Sequence, residues 1–332
     1  MKHTNKLRLV IAVTAITMFA LTACDGGGGT STPSCTHDFS GSWSTTGKVV
    51  KTCLNGNCNE THSVADEFAQ IPGGTFMMGE TGIETSTRDV TLAGFRMGKY
   101  QVTQELYQAV MGTNPSWFHG GSDRESVAGE TQGKRPVEQV SWYHTIVFCN
   151  MLSIRESLTP AYSINGSTDP SNWGAVPTSD NAEWNAVIVL AGSTGYRLPT
   201  EAQWEYACRA GTTTRWHFGD TESELVNYAW YTVNSSIDET TDNRRTRQVG
   251  LKLPNAWGLY DTHGNVWEWC WDWFGTYPST AEVNPTGASS GFYRVIRGQG
   301  WGSAAVGVRS ANRFNDWPFI GNSSLGFRVS RP

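Results

Sequence analysis

From Asn255 to Pro332 the chain shows no helical period of apolar residues, and this constrains its fold more than any other feature. Tryptophan and glycine recur there in short turn-like runs, of which Gly264–Trp269 is the densest. The whole chain holds 36 Gly and 15 Trp, which favours tight turns and short strands over long helices. We therefore predict that the C-terminal part is built from short strands and loops.

Helices are predicted only before that part. Thr103 is a good N-cap for a short helix, and Ser141 is a good N-cap for a second. Thr200, followed three residues later by Gln203, forms the capping-box pattern of a third helix. These three helices lie in one stretch of the chain, ahead of the strand-rich part.

The folded domain is predicted to begin at Phe68. Phe68–Gly79 alternates apolar and polar residues around a Pro-Gly-Gly turn, a pattern typical of two strands that pair with each other. A few helices together with many short strands indicate one α+β domain, which we place at residues 68–332.

The C-terminal stretch Val295–Pro332 combines a regular frame with irregular positions. The frame consists of Arg297–Gly298, Trp301, Arg309–Arg313 and Gly326–Val329. We expect its arginines to pair with carboxylates or carbonyls and to hold the intervening loops open. The intervening positions follow neither a strand nor a helix period, so we predict that they form a binding face of exposed loops. They are Gly302, Ser303, Ala304, Val306, Gly307, Phe314, Asn315, Asp316, Phe319, Ile320, Gly321, Asn322, Ser323 and Ser324.

The N-terminus, residues 1–23, has the pattern of an export signal. A basic start precedes the apolar run Leu9–Ala20, which is too short to span a membrane. The run ends in Leu-Thr-Ala-Cys24, which resembles a bacterial lipobox and implies lipidation of Cys24. An ordinary secretory signal is the alternative. Residues 24–67 are predicted to be a tether and a short Cys-containing segment, and for residues 36–66 a spacer is favoured over a stapled hairpin.

Six cysteines remain after Cys24, and an exported protein permits disulfides between them. Three of them, Cys35, Cys53 and Cys58, lie close enough in sequence to staple the N-terminal segment. The other three (Cys149, Cys208 and Cys270) lie in apolar contexts that favour buried thiols. No His lies at ligand spacing from a Cys pair, which argues against a zinc site. The net charge of −5, without a basic run beyond the first residues, argues against a nucleic-acid partner.

Seven motifs in order resemble the formylglycine-generating enzyme (sulfatase-modifying factor) family, a variant of the C-type lectin fold. They are Ile71–Gly79, Gly98–Thr103, Arg135–Trp142, Gly195–Gly211, Asn255–Asp261, Gly264–Trp269 and Gly326–Val329. The resemblance implies an α+β fold of the C-type lectin kind with a few short helices and many strands and loops.

The enzymes of this family oxidise a substrate cysteine with a C-terminal pair of cysteines and bound copper. The corresponding stretch here, Trp301–Ala311, contains no Cys. We therefore expect no oxidase activity and assign no catalytic residue, and an oxidase of this type remains the alternative. His263 and Asp272 lie near each other in sequence, but a single such pair is too weak a pattern to assign catalysis.

The C-terminal frame also resembles the variable region of proteins diversified by retroelements. In such systems the variable codons have the form NNC, which cannot encode Lys, Glu, Gln, Met or Trp. All the irregular positions given above obey this restriction, and Trp317, which does not, is expected to be a fixed contact of the same face. Together with the lipobox and the missing cysteine pair, this resemblance indicates a lipid-anchored, non-enzymatic protein with a diversified binding surface. Phe314, Phe319 and Ile320 are apolar where loops are usually polar, which favours a protein or glycan ligand. The binding role in turn favours display on the outer surface of a bacterial envelope. A purely structural envelope lipoprotein is the other alternative.

Asn265 and Glu268 match a calcium-binding turn of some family members. The resemblance therefore implies a structural calcium ion there, with a satisfied structural turn as the alternative. No cofactor is expected to be required.

Overall fold

The computed structural model describes residues 37–55, 58–82, 87–121, 124–237 and 243–332. The predicted export signal and the lipidation site at Cys24 lie outside these residues. Cys35 also lies outside them.

The described residues form the helices α1 (Gln104–Met111), α2 (Trp142–Arg155), α3 (Ala182–Asn185) and α4 (Glu201–Arg209). Three of them begin directly after the capping residues that the sequence predicted. Thr103 accepts the N–H of Leu106 at the start of α1, and Ser141 accepts the N–H of His144 at the start of α2. Thr200 and Gln203 form a reciprocal capping box on α4. The sequence analysis did not find the short helix α3.

Short strands make up the rest of the regular structure. They are β1 (Val50–Thr52), β2 (Thr61–Ser63), β3 (Phe68–Ile71), β4 (Gly74–Met78), β5 (Arg88–Leu92), β6 (Phe95–Gly98), β7 (Tyr162–Ser163), β8 (Ile188–Val189), β9 (Trp267–Trp273), β10 (Glu282–Val283), β11 (Arg294–Arg297), β12 (Arg313–Asp316), β13 (Leu325–Phe327) and β14 (Ser330–Arg331).

The strand pair predicted at Phe68–Gly79 is wrong in its pairing. Both strands form, but β3 pairs with β6 and β4 pairs with β5, in two different sheets. Alternation identifies a strand and its buried face, whereas it carries no information about which strand lies beside it.

A four-stranded sheet in the order β12-β11-β9-β13 carries the C-terminal stretch. β11 is antiparallel to both of its neighbours, and β13 runs parallel to β9. Trp269 of β9, Ile296 of β11 and Phe327 of β13 are buried in the main hydrophobic core with α1 and α2. A second core cluster joins α4 to this sheet through Trp204 of α4, Cys270 of β9 and Val295 of β11. The sheet is therefore fixed from both sides.

The spacer favoured for residues 36–66 is wrong for the residues that the structure describes. β1 and β2 form an antiparallel hairpin, and Trp43, Val49 and Val64 are buried in the main core. The polar character of this segment obscured these three apolar anchors.

A membrane span needs a long and strongly apolar helix. None of the helices in the described residues meets both requirements.

Candidate ligand-binding surface

Arg297 anchors the C-terminal sheet to α4. Its side chain is fully buried, and its Nη2 lies 2.6 Å from Glu205 Oε2 and donates to the carbonyl of Ser310 as well. A second nitrogen, Nη1, lies 3.5 Å from Glu201 Oε1 and donates to the carbonyl of Ala311. One arginine thus fixes both a helix and the middle of the frame.

Arg313 makes a forked ion pair with the same helix. Its Nε and Nη2 each lie 2.7 Å from one of the two carboxylate oxygens of Glu201, and the Tyr277 hydroxyl donates to Oε1. Burial alone would raise the pKa of the Glu201 carboxyl, but the charges of Arg313 and Arg297 outweigh burial and lower it. Glu201 is therefore held ionised inside the protein.

Arg328 follows β13, at the edge of the sheet opposite β12, and completes the frame. Its Nε and Nη2 donate to the two oxygens of Glu268, at 3.0 and 2.9 Å, and both side chains are fully buried. Trp204 of α4 donates its indole N–H to the same carboxylate at 2.7 Å. Arg309, the most exposed of the four arginines, pairs with Glu80 at 2.8 Å. The expected structural role of these arginines is confirmed.

The irregular positions lie on the outside of this frame. Each of the fourteen predicted positions, and Trp317 with them, is exposed or half-buried. Val308, Ser310 and Ala311, which lie in the chain between Gly307 and Phe314, are fully buried. We call the outward-facing set (residues 302–304, 306–307, 314–317 and 319–324) the C-terminal surface.

Two loops and one edge strand of this surface are joined to each other. The indole N–H of Trp301 donates to the carbonyl of Ser323 at 3.0 Å, and the N–H of Trp267 donates to the carbonyl of Ser324 at 2.7 Å. The ring of Trp267 in turn lies 6.0 Å from that of Phe314 on β12. Trp301 is half-buried and its ring edge packs on the buried Phe118, so it serves as the link between loops.

The glycines of the surface differ in how much room surrounds them. A Cβ added at Gly302 would meet nothing within 4 Å, whereas one at Gly307 would lie 2.8 Å from the end of the Gln299 side chain. At Gly321 it would lie 2.8 Å from backbone atoms of Gln139, which cannot move aside as a side chain end can. Gly321 is exposed, yet its place in the predicted variable set conflicts with this packing.

Aromatic side chains form a continuous patch beside the loops. The ring of Trp317 lies 4.5 Å from that of Tyr293, 5.8 Å from that of Phe319 and 6.3 Å from that of Phe292. Phe292 is 73% exposed and Phe314 is 58% exposed. The sequence analysis missed Phe292 and Tyr293 because they precede the frame, although two adjacent aromatics in a Gly- and Ser-rich run are a detectable signal.

The C-terminal surface lies apart from three cavities in the described part of the chain. Cavities of 520, 360 and 180 Å³ lie elsewhere, and no residue of the surface lines any of the three. An exposed apolar patch of this kind on a fixed scaffold suits contact with a large ligand.

Asn265 and Glu268 do not fit a calcium site in this arrangement. The Asn265 amide exchanges two hydrogen bonds with the backbone of Arg247, at 2.9 and 3.0 Å. The Glu268 carboxylate accepts from Trp204, Gln101 and Arg328, and the guanidinium of Arg328 would repel a cation at this position. The turn is satisfied by the protein itself.

Buried thiols and imidazoles do not form an activated pair. Cys208 Sγ lies 3.9 Å from His263 Nε2, but burial raises the pKa of Cys208 to about 11 and lowers that of His263 far below its usual value. Both groups are therefore neutral near pH 7, whereas nucleophilic cysteine chemistry needs a thiolate. Cys149 and Cys270, also fully buried, have raised pKa values for the same reason. Asp272, the other residue considered with His263 in the sequence, accepts the backbone N–H of Glu201 through its Oδ2.

Known proteins place this architecture in context. Residues 56–332 match the model of the sulfatase-modifying factor enzyme 1-like domain. A chaperone protein of Paenibacillus barcinonensis, LppX, is 36% identical over 253 residues, which are 73% of this chain and 81% of that protein. The formylglycine-generating enzyme of Mus musculus is 30% identical over 292 residues, which are 80% of this chain and 74% of the enzyme.

This chain is also similar to a variable protein whose structure has been solved. Treponema denticola variable protein 1 superimposes with a TM-score of 0.72 at 39% identity, over 85% of this chain and 99% of that protein. The predicted resemblances and the C-type-lectin-like α+β fold are thereby confirmed. With a family match over most of its length, this chain belongs to the sulfatase-modifying factor enzyme 1-like domain family.

Proposed function

We propose that this protein is a non-enzymatic ligand-binding protein and that the C-terminal surface is its diversified binding site. One observation carries the proposal: every predicted variable position is exposed or half-buried, whereas Arg297, Arg313 and Arg328 of the frame are buried. Such an arrangement lets the surface change its residues while Arg297, Arg313 and Arg328 keep the backbone in place. The similarity to a variable protein supports the same reading.

The absence of the family's cysteine pair supports a non-enzymatic role. Trp301–Ala311 contains no Cys, so this stretch offers no thiolate for copper or for a substrate thiol. The rival reading, an oxidase of the formylglycine-generating type, is favoured by the similarity to the mouse enzyme. A turnover assay with a cysteine-containing peptide and copper separates the two, because only the oxidase would form an aldehyde.

The ligand in this proposal is a protein or a glycan. Aromatic side chains dominate binding hot spots and also stack on sugar rings, and the patch around Trp317 offers several of them side by side. We propose further that Cys24 carries a lipid and that the protein is displayed on the outer surface of a bacterial envelope.

Sequencing the DNA that flanks the gene tests the diversification directly. We expect a second, non-coding copy of the segment for Val295–Pro332, which differs from the coding copy only at adenines of the template, together with a reverse-transcriptase gene. Differences should fall on the C-terminal surface and spare Trp317 and Gly321. A flank without such a copy, and residues 302–324 that are identical across isolates, would overturn the diversified surface and favour a structural envelope protein.

A further inference from the structure

Three metal-binding side chains meet in the N-terminal hairpin, far from the C-terminal surface in the sequence. One ligand atom each from His37, Cys53 and Cys58 lies within 4.8 Å of the other two. His37 Nδ1 is 3.0 Å from Cys58 Sγ, and both cysteines are buried thiols. Sequence spacing missed this group because the His lies 21 residues before Cys58.

Backbone hydrogen bonds bring the three residues together. The N–H of Leu54 donates to the carbonyl of Asp38, which places the start of the described chain beside Cys53. The N–H of Cys58 donates to the carbonyl of Asn55 and closes the loop between the two cysteines. The N–H of Asp38 points at Cys53 Sγ from 3.4 Å, a contact that favours a sulfur with negative charge.

Metal binding takes the thiolate form of cysteine, so the thiol protons of Cys53 and Cys58 leave when a metal binds.

We propose that His37 Nδ1, Cys53 Sγ and Cys58 Sγ bind a zinc ion. Two sulfurs and one imidazole nitrogen suit Zn²⁺, whereas Ca²⁺ and Mg²⁺ prefer oxygen ligands. Zn–S and Zn–N bonds of about 2.3 and 2.0 Å place ligand atoms roughly 3.5–3.8 Å apart in a tetrahedron, so only small shifts are needed here. Binding displaces the thiol protons to solvent, and one further ligand completes the tetrahedron.

The site is structural in this proposal. The hairpin β1–β2 has only a few buried anchors in the core, of which Trp43 and Val64 flank the cysteines in the chain. A zinc ion bound to His37 and both cysteines would fasten the first described residues to this hairpin. Zinc should therefore raise the thermal stability of the protein.

Metal analysis of the purified full chain tests the site. We expect about one zinc per native chain after dialysis, and little in the variant that carries both Cys53→Ser and Cys58→Ser. His37→Ala removes one ligand and leaves both thiols, so it should weaken zinc retention even if the double variant folds poorly. The matched control is His119→Ala, an exposed histidine outside the group, which should bind zinc as the native chain does.

Cobalt supplies a second readout that does not depend on stability. Co²⁺ added to the reduced native chain should produce a sulfur-to-cobalt charge-transfer absorption, and the double variant should lack it. Zinc content in the native chain no higher than in the double variant would overturn the proposal. Mass spectrometry that finds Cys53 and Cys58 joined in a disulfide in the exported protein would overturn it as well.

Discussion

At the scale of single residues, buried charges under the C-terminal surface decide whether it can vary. Glu201 and Glu205 of α4 carry the charges that Arg297 and Arg313 neutralise, and all four side chains are buried. A buried charge left without its partner costs far more than an exposed one, because water cannot replace the lost contact. We therefore expect substitutions of these charged frame residues to destabilise the protein more than substitutions in the surface around them.

Two arginines of the same frame segment provide a matched comparison. Arg313→Met should lower the free energy of unfolding by about 3–5 kcal/mol, because it leaves the buried Glu201 without its forked partner. Arg309→Met should lower it by about 0–1 kcal/mol, because Arg309 and Glu80 are partly exposed. Urea denaturation of both variants measures the difference. Equal losses would contradict the role given to the Arg313–Glu201 pair.

Asp272 predicts a pH dependence of stability. Burial, followed by the nearby charge of Glu201, raises the pKa of its carboxyl to about 7. A raised pKa in the folded state means that this group's contribution is fully present below the unfolded-state pKa and is lost as pH rises through about 7. Asp272→Asn cannot ionise, so from pH 6 to pH 8 it should become more stable relative to the native chain, by about 1 kcal/mol. Urea unfolding at both pH values tests this, and a difference that stays constant would refute it.

At the scale of elements, the sequence predicted where three helices begin, but it did not predict which strands pair with each other. The starts of α1, α2 and α4 follow from single capping residues, so Thr103, Ser141 and Thr200 were sufficient to place them. The partners of β3 and β4 depend on contacts between distant parts of the chain, which alternation does not encode. The metal-binding group of the hairpin was hidden for the same reason.

The candidate surface was predictable to a similar extent. The absence of any period between the frame motifs located the loops at residues 302–307 and 319–324. It was wrong for Phe314–Asp316, which lie in the edge strand β12 because they pair with β11. The adjacent aromatics Phe292 and Tyr293 were visible in the sequence, but their contact with Trp317 was not. The tight packing at Gly321 could not be inferred either, because it comes from Gln139, outside the C-terminal stretch.

Two glycines of the surface test which loop positions can change. Gly302→Ala should alter the free energy of unfolding by no more than about 0.5 kcal/mol, since its added methyl group meets open space. Gly321→Ala should cost about 1–3 kcal/mol, because its methyl group would press on the backbone of Gln139. Thermal or urea unfolding of the two variants compares them. A stability loss at Gly302 as large as at Gly321 would show that its loop is part of the packed structure.

At the scale of the whole molecule, the residues that stabilise the fold are distinct from the residues of the proposed binding surface. The four-stranded sheet, α4 and the buried arginine pairs supply rigidity, and the three cavities lie away from the C-terminal surface. The N-terminal hairpin joins the same core through Trp43, Val49 and Val64. In the proposed function, the surface changes its chemistry without a change in the fold, which is what a diversified binding site requires.

A display library measures this separation most directly. Ala304, Val306 and Phe314, all exposed, are randomised together and selected for binding to lysozyme as a defined protein target. A control library randomises the exposed apolar residues Ile154, Ile188 and Val226, which lie outside the surface. We predict that most members of the first library are displayed in folded form and that lysozyme binders are enriched from it and not from the control. Widespread loss of folded display in the first library, or equal enrichment from both, would contradict the account.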